Sequence, residues 1–345
     1  MKIAVVANDG FYLQGGYGIR CRLMYESLAA SHRTDMVVLR VGGRKKAPMP
    51  FAVTEVNALQ FGRIRRILSD YQRIVAEGIS VATLLSFLGI GPFIYDMHGL
   101  AEEECSSRAK SIVYRHAERR VLRRAGRVLF VSRAMRRYSE EKHELQLESR
   151  SAVVRVHPSV RPTTGSATLH DQCASARAAL SIPLGVPVIV YAGSTAPYQE
   201  VELMIDFLEA LDPPWRIYVL TRDPGAFTRI ASRPNTVLTE ADEPLLRSIY
   251  SAADYGLILR SDSPVNQVAS PTKMIEYLAF GLTPVVWRPF GDFWDFGVDA
   301  VSYEELLETG PRPGKNERNV EVANRLLAAS SDPARAVLQP LPSEG

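Results

Sequence analysis

Two charged side chains near the start of one predicted helix offer the most specific chemistry in this chain. Lys273 and Glu276 stand three residues apart in the predicted helix Pro271–Phe280, so they share one face close to its N-terminus. Ser270 is expected to cap this helix, and Gly281 to end it in the left-handed conformation. A helix start carries unpaired N–H groups and partial positive charge, which favour phosphate. A cation and a carboxylate beside it could hold a diphosphate and a sugar diol at once, so the segment predicts a nucleotide-sugar site.

A third charged residue, Arg260, precedes the same helix. It follows the apolar predicted strand Tyr255–Leu259, and its rigid guanidinium fork suits phosphate. The alternative for all three charges is a solvated surface role: a strand-end cation for Arg260, and a weak surface ion pair between Lys273 and Glu276. Because the three gather at one edge of a predicted sheet, we favour the phosphate site.

His98 is a second candidate for chemistry. It comes after an apolar strand, in the segment Ile94–Gly99, and therefore stands at the carboxyl end of that strand. With a pKa near neutrality, its imidazole could hydrogen-bond a sugar hydroxyl or the reacting centre. The run Glu102–Glu104 that follows is expected to be solvated charge at a helix start rather than an acid/base pair.

The glycine-rich loop Gln14–Gly18 follows the first predicted strand. Its G-G-x-G spacing departs from the G-x-G-x-x-G of dinucleotide-binding proteins, and the next strand ends at Arg40, where NAD-binding proteins place Asp or Glu. Arg40 would suit a 2′-phosphate, so an NADP oxidoreductase stays an alternative. The loop either approaches phosphate or substrate closely, or is a tight turn that needs glycine under any function.

Two separate strand–loop–helix–strand patterns predict the architecture. One contains the strand Lys2–Ala7, the helix Ile19–Ala30 and the strand Met36–Val41, and the other begins with the strand Pro187–Ala192 and the helix Glu200–Leu211. Repeated starts of this kind predict an α/β fold of two doubly wound, Rossmann-like domains, each with a parallel sheet. Ligands of such sheets bind beyond the carboxyl ends of the strands, so we expect the site in a cleft between two facing domains.

The composition between the two patterns indicates the domain boundaries. The stretch 158–180 is rich in Ser, Thr, Ala and Pro and has no sustained apolar period, which is typical of a linker. We predict five segments: an N-terminal domain at 1–160, a linker at 161–182, a C-terminal domain at 183–315, a helix at 316–330 that packs back across the domain junction, and a loose tail at 331–345.

Composition narrows the class of protein. The 345 residues are 46% hydrophobic, enough for two cores, and a net charge of +3 does not by itself indicate nucleic acid. Cys21, Cys105 and Cys173 are widely spaced, which fits a reducing cytosol better than a disulfide framework or a metal cluster. The chain starts directly with a strand pattern, and polar residues, Gly and Pro interrupt its longest apolar stretch. We therefore expect no signal peptide and no membrane span.

A basic cluster lies between Arg108 and Arg137. This segment contains eleven Arg or Lys residues and a single acidic residue, Glu118. The cluster is either a solvated helix face or a surface that docks on anionic lipid, to which each cation contributes about 1 kcal/mol. Nucleic acid is disfavoured because the cluster lacks interleaved aromatic residues and any binding-module signature. Docking would place the protein at the inner face of the cell membrane.

The segment Ser270–Ala279, with Gly281 and Pro284–Val286, resembles the donor-site signature of retaining GT-B glycosyltransferases, the large group that builds bacterial cell-surface glycans. Four other segments are similar to that group: the glycine loop, Tyr95–Gly99, Val131–Ala134 and Tyr191–Ser194. The resemblance extends from Lys2 to about Leu327. It implies a GT-B fold, two Rossmann-like domains facing across a cleft, and a hexosyltransferase that uses a nucleoside-diphosphate sugar and a glycan or lipid-linked acceptor.

The same resemblance implies roles for individual residues. Glu276 would grip the ribose hydroxyls, Lys273 the diphosphate, and His98 would lie near the transferred sugar. The catalytic residues are then His98, Arg260 and Lys273; the donor-binding residues Gly16, Gly193, Ser194, Asn266, Ser270, Thr272, Lys273 and Glu276; and the acceptor-side residues Gly16, Tyr17 and His98. No cofactor or metal is implied, and the chain has no Asp-x-Asp motif that would bind one. Protein cations and dipoles would then stabilise the leaving diphosphate.

Three positions depart from the resemblance. Ser194 and, approximately, Gln199 stand where the group commonly has Arg and Lys, and Val268 stands where a second glutamate is usual. Arg260 is the candidate replacement for the missing cations, and Asn266 or Gln267 could make the hydrogen bonds that the glutamate would otherwise make. A catalytically impaired nucleotide-binding homologue and a nucleotide-sugar epimerase of the same fold stay alternatives to the glycosyltransferase.

Overall fold

The computed structural model describes residues 1–12, 16–41, 49–105, 107–156, 158, 160–163, 168–212 and 214–341. The chain divides into two compact units: unit 1 is Met1–Arg155 with Ser330–Gly345, and unit 2 is Val156–Ala329. Each unit is a parallel sheet with helices between its strands, so the predicted α/β fold class is confirmed. None of the helices in the described part of the chain is long and apolar enough to cross a membrane.

Unit 1 is built on a seven-stranded sheet with the order β3-β2-β1-β4-β5-β6-β7 and parallel pairing throughout. Its strands are β1 Lys2–Asn8, β2 Arg33–Arg40, β3 Val53–Asn57, β4 Arg73–Glu77, β5 Ile94–Met97, β6 Arg127–Phe130 and β7 Ser151–Val153. Its helices are α1 Gly16–Ala29, α2 Phe61–Leu68, α3 Gly78–Phe87, α4 Arg108–Arg124, α5 Arg133–His143 and, near the C-terminus of the chain, α14 Pro333–Leu338. The central strands are continuous apolar runs because helices cover both faces of the sheet.

Unit 2 repeats this plan with six parallel strands in the order β10-β9-β8-β11-β12-β13. Its strands are β8 Val188–Ala192, β9 Arg216–Leu220, β10 Thr236–Thr239, β11 Tyr255–Leu257, β12 Thr283–Val286 and β13 Val301–Ser302. Its helices are α6 Leu169–Ala179, α7 Val201–Ala210, α8 Thr228–Ala231, α9 Glu243–Ala252, α10 Pro264–Gln267, α11 Thr272–Ala279, α12 Tyr303–Thr309 and α13 Glu317–Ala328.

The strand orders locate one crevice in each unit. In unit 1 the order reverses between β1 and β4, and in unit 2 between β8 and β11. At such a switch point the connections leave the sheet in opposite directions, which opens a crevice at the carboxyl ends of the two strands. Asn8 and Glu77 end the strands of the first crevice, and Ala192 and Leu257 end those of the second.

The segments around the unit junction differ from the sequence prediction. The predicted linker contains α6, which starts with a capping box of Thr168 and Asp171 and whose Arg177 forms a 2.6 Å ion pair with Asp254 of unit 2. The helix expected to cross back is α13, and its buried face belongs to the core of unit 2. Both differences arise from tertiary packing. The two helices are short, so their apolar residues form too short a pattern to indicate which unit they pack against.

The predicted loose tail is instead part of unit 1. Ala336 and Val337 of α14 are buried in the unit 1 core, beside the apolar face of α1. Arg127, on β6, donates to the side chain of Gln339 and, at 3.0 Å, to the carbonyl of Pro340. The chain therefore returns to its first unit after completing the second.

Candidate functional site

The helix that carries Lys273 and Glu276 lies where it was predicted, with two corrections. It begins at Thr272 rather than Pro271, and Pro271 is the N-cap residue, so Ser270 is not the cap. Gly281, at φ +66°, ends the helix in the left-handed conformation as expected. An extended Pro271 takes the cap position because its ring already fixes φ and it has no N–H to satisfy.

Lys273 and Glu276 form an ion pair, with 3.0 Å between Nζ and Oε2. Glu276 is fully buried, whereas Lys273 is partly exposed and covers it. The hydroxyl of Tyr250 donates to the same carboxylate oxygen at 3.3 Å. The two residues share a helix face as expected. At Glu276 that face is buried inside unit 2, whereas at Lys273 it is partly exposed to solvent.

Arg260 is a buried cation between two aromatic rings. Its guanidinium carbon lies 5.3 Å from the ring centre of Tyr198 and 5.8 Å from that of Phe290, and the residue is 7% exposed. Nη1 donates to Oδ1 of Asn266 at 3.0 Å, while Nε has no hydrogen-bond partner among the described residues. Burial lowers the pKa of Arg260, and no carboxylate compensates its charge within the described part of the chain. Among the described residues, the partners of Arg260 are thus an amide and two aromatic rings.

Asn266 is held rigidly next to this cation. It lies in the short helix α10, which is capped by Ser263, and it is fully buried. Its Nδ2 donates to the carbonyl of Ser261 at 3.1 Å, so its Oδ1 is turned toward Arg260. Val268, which stands at the position of the glutamate that the resemblance leads one to expect, is buried.

The loop after β8 supplies the other side of the unit 2 crevice. Tyr277, on α11, ties that helix to β8 because its hydroxyl accepts from the N–H of Ala192 at 3.2 Å. A Cβ at Gly193 would lie 2.8 Å from the hydroxyl oxygen of Tyr191, which itself donates to the carbonyl of Ser194. Gly193 is therefore required by close packing of the loop, whatever ligand it contacts.

In unit 1, His98 directly follows β5 and contacts two carboxylates. Its Nε2 lies 2.8 Å from Oε2 of Glu77 and 3.1 Å from Oδ2 of Asp96. The guanidinium of Arg20 donates two hydrogen bonds to Asp96, from Nε to Oδ2 at 2.8 Å and from Nη2 to Oδ1 at 2.7 Å. Burial alone would lower the pKa of His98, but Asp96 and Glu77 outweigh it and raise this pKa to about 9. His98 is therefore an imidazolium at neutral pH, and its buried Nδ1 has no partner among the described residues.

Tyr17 connects His98 to the end of β1. Its ring centre lies 5.1 Å from that of His98, and its hydroxyl donates to the carbonyl of Glu77 and accepts from the N–H of Asn8. Gly16 begins α1, and a Cβ there would meet no described atom within 4 Å. Crowding within the described residues thus gives no reason for this glycine. Gln14 and Gly15 of the predicted glycine loop lie outside the described residues.

Two clusters among the described residues have the composition of metal sites: Glu77 with Asp96 and His98, and Glu102 with Glu103 and Glu118. A protein cation already neutralises each of them. Arg20 covers both oxygens of Asp96, and Lys142 lies 2.7 Å from Glu102 and Glu103 and 3.3 Å from Glu118. Neither cluster therefore fits a divalent ion. The expectation that Glu102 and Glu103 are solvated charges is wrong, because they belong to this ion-pair network.

A pocket that sequence analysis missed lies at the switch point of unit 1. It has a volume of about 520 Å³ and is lined by the ends of β1 and β2, the residue after β3 and the start of α3. Asn8 and Ser80 meet across it, at 2.9 Å between Nδ2 and Oγ. Its wall comes from four segments that are far apart in sequence, so no local motif could have indicated it.

The predicted basic cluster forms an exposed helix face on α4. Helical geometry places Ile112, His116, Arg119 and Arg123 in one row, one turn apart, and all four are exposed. Val113, which is 66% exposed, lies beside that row. The opposite face, with Val121 and Leu122, is buried. A basic surface with apolar residues among its charges is thus real rather than only a property of the sequence.

Solved structures that resemble the chain define its class. Sucrose-phosphate synthase from Thermosynechococcus elongatus matches with a TM-score of 0.66 and 14% identity, over 99% of this chain and 95% of that one. HepE from Anabaena, in complex with UDP-glucose, matches with a TM-score of 0.64 and 14% identity, over 97% and 94%. WaaG, a glycosyltransferase involved in lipopolysaccharide biosynthesis, matches with a TM-score of 0.55 and 14% identity, over 99% and 96%. The chain is an α/β protein with the two-domain GT-B fold.

A comparison by sequence is more specific for the N-terminal half. Residues 15–158 match the family described as Glycosyl transferase 4-like domain. That range contains Gly16, Tyr17 and His98, and it ends close to the junction of the two units. No curated protein sequence matches the chain significantly.

Proposed function

We propose that this protein is a retaining glycosyltransferase that moves a hexosyl group from a nucleoside-diphosphate sugar to a hydroxyl acceptor, without a metal ion. The observation that carries the proposal is Arg260, a buried cation in the switch-point crevice of unit 2 that has no carboxylate partner among the described residues. A diphosphate would neutralise the charge of Arg260 through charge-assisted hydrogen bonds. The UDP-glucose bound by HepE, a protein of similar fold, supports the same class of donor.

The remaining donor contacts come from α11 and the loop after β8. Glu276 binds the ribose hydroxyls and Lys273 the diphosphate, so that binding a donor exchanges their mutual ion pair for contacts with the ligand. Asn266 orients Arg260, and Gly193, Ser194, Ser270 and Thr272 border the donor. The leaving diphosphate is stabilised by Arg260, Lys273 and the helix start instead of a metal ion.

The state of His98 supports retention of configuration. An imidazolium can donate from Nδ1 to a sugar hydroxyl, but it cannot take the proton of the acceptor. The acceptor oxygen therefore bonds to the anomeric carbon as the bond from that carbon to the diphosphate breaks. The proton of the acceptor passes to an oxygen of the departing diphosphate on the same face of the sugar. Gly16, Tyr17 and His98 form the acceptor side.

We further propose that the enzyme works in cell-surface polysaccharide or glycolipid assembly, docked on the cytoplasmic face of the membrane through α4. Exposed cations and two exposed aliphatic side chains on one helix face suit an anionic lipid surface. The role of WaaG in lipopolysaccharide biosynthesis supports this setting. Nucleic acid is not part of the proposal.

Titration calorimetry with UDP, GDP, ADP and CMP, followed by transfer assays with the corresponding sugars, tests the donor site. We expect one nucleoside diphosphate to bind and Glu276→Ala to weaken it by about 10-fold or more, since a charge-assisted hydrogen bond contributes roughly 1.5–3 kcal/mol. Glu308→Ala, at an exposed glutamate on α12, is the matched control. Unchanged binding in the Glu276 variant would refute the donor site. Binding without transfer would favour an impaired homologue, and interconversion of the nucleotide sugar itself would identify an epimerase.

A further inference from the structure

The pocket at the unit 1 switch point has a polar end and an apolar wall. Asn8, Gly10 and Ser80 form the polar end, where β1 and the start of α3 meet. Its volume of about 520 Å³ is in the range that holds a small organic ligand. The polar end is next to the candidate site, because the N–H of Asn8 donates to Tyr17, whose ring contacts His98.

The wall away from this end is aliphatic. It is formed by Leu39 at the end of β2, Ala58 after β3, and Val81 and Leu84 on α3. The carboxylate of Asp9 is the one charged group in the described lining, and Nε of Arg40 lies 3.9 Å from it. Since Asp9 is paired with Arg40 and most of the described lining is aliphatic, a neutral, partly apolar ligand is favoured there.

The apolar surface continues outside the pocket. Val41, on the rim, is 84% exposed, and Leu59, next to Ala58, is 78% exposed. The N–H of Ala58 donates to the carbonyl of Arg40 at 2.8 Å, which keeps these two chain segments side by side. Exposed aliphatic residues that extend an apolar pocket are typical of a surface that binds an apolar ligand.

We propose that this pocket binds an apolar group attached to the acceptor, so that the acceptor is a sugar or other hydroxyl compound with a hydrocarbon aglycone. The proposal rests on the proposed glycosyltransferase function and names the acceptor class. The hydroxyl end of such a ligand lies at Asn8 and Ser80, beside Tyr17 and His98. Its hydrocarbon lies along Leu39, Val81 and Leu84, where burial of each methylene strengthens binding by about fourfold.

The first test measures binding alone, by calorimetry with the n-octyl and methyl glycosides of glucose, galactose and mannose below the micelle concentration. We expect at least one octyl glycoside to bind at least about 60-fold more tightly than its methyl partner, as burial of three methylenes predicts. Leu84→Gln should remove most of this preference. Leu307→Gln, at an exposed leucine on α12, should leave it unchanged. Equal binding of all octyl and methyl pairs, or a preference that Leu84→Gln leaves intact, would overturn the proposal.

The second test separates this inference from the proposed function. Transfer from the donor identified above is measured with the same glycosides, and a lower KM for an octyl acceptor in the wild type but not in Leu84→Gln supports both. Transfer with the same KM for octyl and methyl acceptors would overturn the apolar acceptor and leave the glycosyltransferase intact. Octyl binding that depends on Leu84, without transfer to any acceptor, would count against the glycosyltransferase and also overturn the assignment of the pocket to an acceptor.

Discussion

Lys273 covers Glu276 with Nζ 3.0 Å from a carboxylate that no solvent reaches. Each residue is thus the counter-ion of the other in the ligand-free protein. At the proposed donor site, binding would exchange this pair for contacts with phosphate and ribose, so the pair would stabilise the ligand-free protein and lower its donor affinity.

Lys273→Met should destabilise unit 2 by about 1–3 kcal/mol, since it leaves a buried acceptor short of a donor. In the double variant Lys273→Met with Glu276→Gln, most of that loss should disappear, because the buried side chain at position 276 is then uncharged. Urea unfolding of the wild type, both single variants and the double variant gives the coupling as a double-mutant cycle. Additive losses would mean that the ion pair does not contribute to stability.

Arg260→Met should separate stability from binding. The methionine can stay between Tyr198 and Phe290 while the uncompensated charge is removed, so the free energy of unfolding should stay the same or rise. Affinity for the nucleoside diphosphate should fall by about 10-fold or more. Calorimetry and urea unfolding of the same preparation measure both. A loss of stability with unchanged affinity would assign Arg260 a purely structural role.

His98 should make stability depend on pH. Its pKa is raised from 6.5 in the unfolded chain to about 9 in the folded one, so its contribution is fully present below pH 6.5 and is lost as pH rises through 9. The shift corresponds to about 3 kcal/mol. We expect the stability difference between wild type and His98→Gln, measured by urea unfolding, to shrink between pH 6.5 and 9.5. Burial lowers the pKa of Lys315 to about 8, which makes stability change with pH in the opposite direction. Because both proteins contain Lys315, its effect cancels when their stabilities are subtracted. A constant difference would contradict the assigned imidazolium.

The basic face of α4 should bind anionic vesicles. Replacing Arg119, Arg123 and Arg124 by Gln should weaken binding to phosphatidylglycerol vesicles by about 100-fold, at about 1 kcal/mol for each cation. Replacing Arg33, Arg63 and Arg66 by Gln removes the same charge from exposed positions elsewhere in unit 1 and is the matched control. Co-sedimentation with phosphatidylglycerol and phosphatidylcholine vesicles at two salt concentrations measures the effect. Equal losses in both triple variants would mean that net charge, rather than this face, drives binding.

Two glycines should respond in opposite ways to alanine. At Gly256, in β11, a Cβ would lie 2.3 Å from the buried ring of Tyr277, so Gly256→Ala should cost about 1–3 kcal/mol or more. At Gly16 a Cβ would meet nothing among the described residues, so Gly16→Ala should be neutral or slightly stabilising. If Gly16→Ala impairs transfer without a loss of stability, the approach of a ligand explains the need for glycine. Urea unfolding and transfer assays together distinguish the cases, and a stable Gly256 variant would contradict the packing at Tyr277.

Local pattern was enough for much of the fold. The two strand–helix starts predicted two doubly wound parallel sheets, and Gly281 predicted the end of α11, because strand periodicity, helix capping and glycine conformation act over a few residues. The positions of His98 at a strand end and of Lys273 and Glu276 on one helix face followed from the same short-range rules. Their assignment to a nucleotide-sugar site stays a prediction.

Contacts between segments that are distant in sequence could be identified only from the tertiary structure. The pairing of His98 with Glu77, the enclosure of Arg260 by Tyr198 and Phe290, and the pocket between β1, β2 and α3 join residues whose separation in sequence carries no signal. The burial of Glu276 was also hidden, since its helix position alone does not say which neighbour covers it. By itself the sequence determined which elements form and which edge of each sheet carries polar residues. Only the tertiary structure decided which charges are compensated, because compensation depends on distances across the fold.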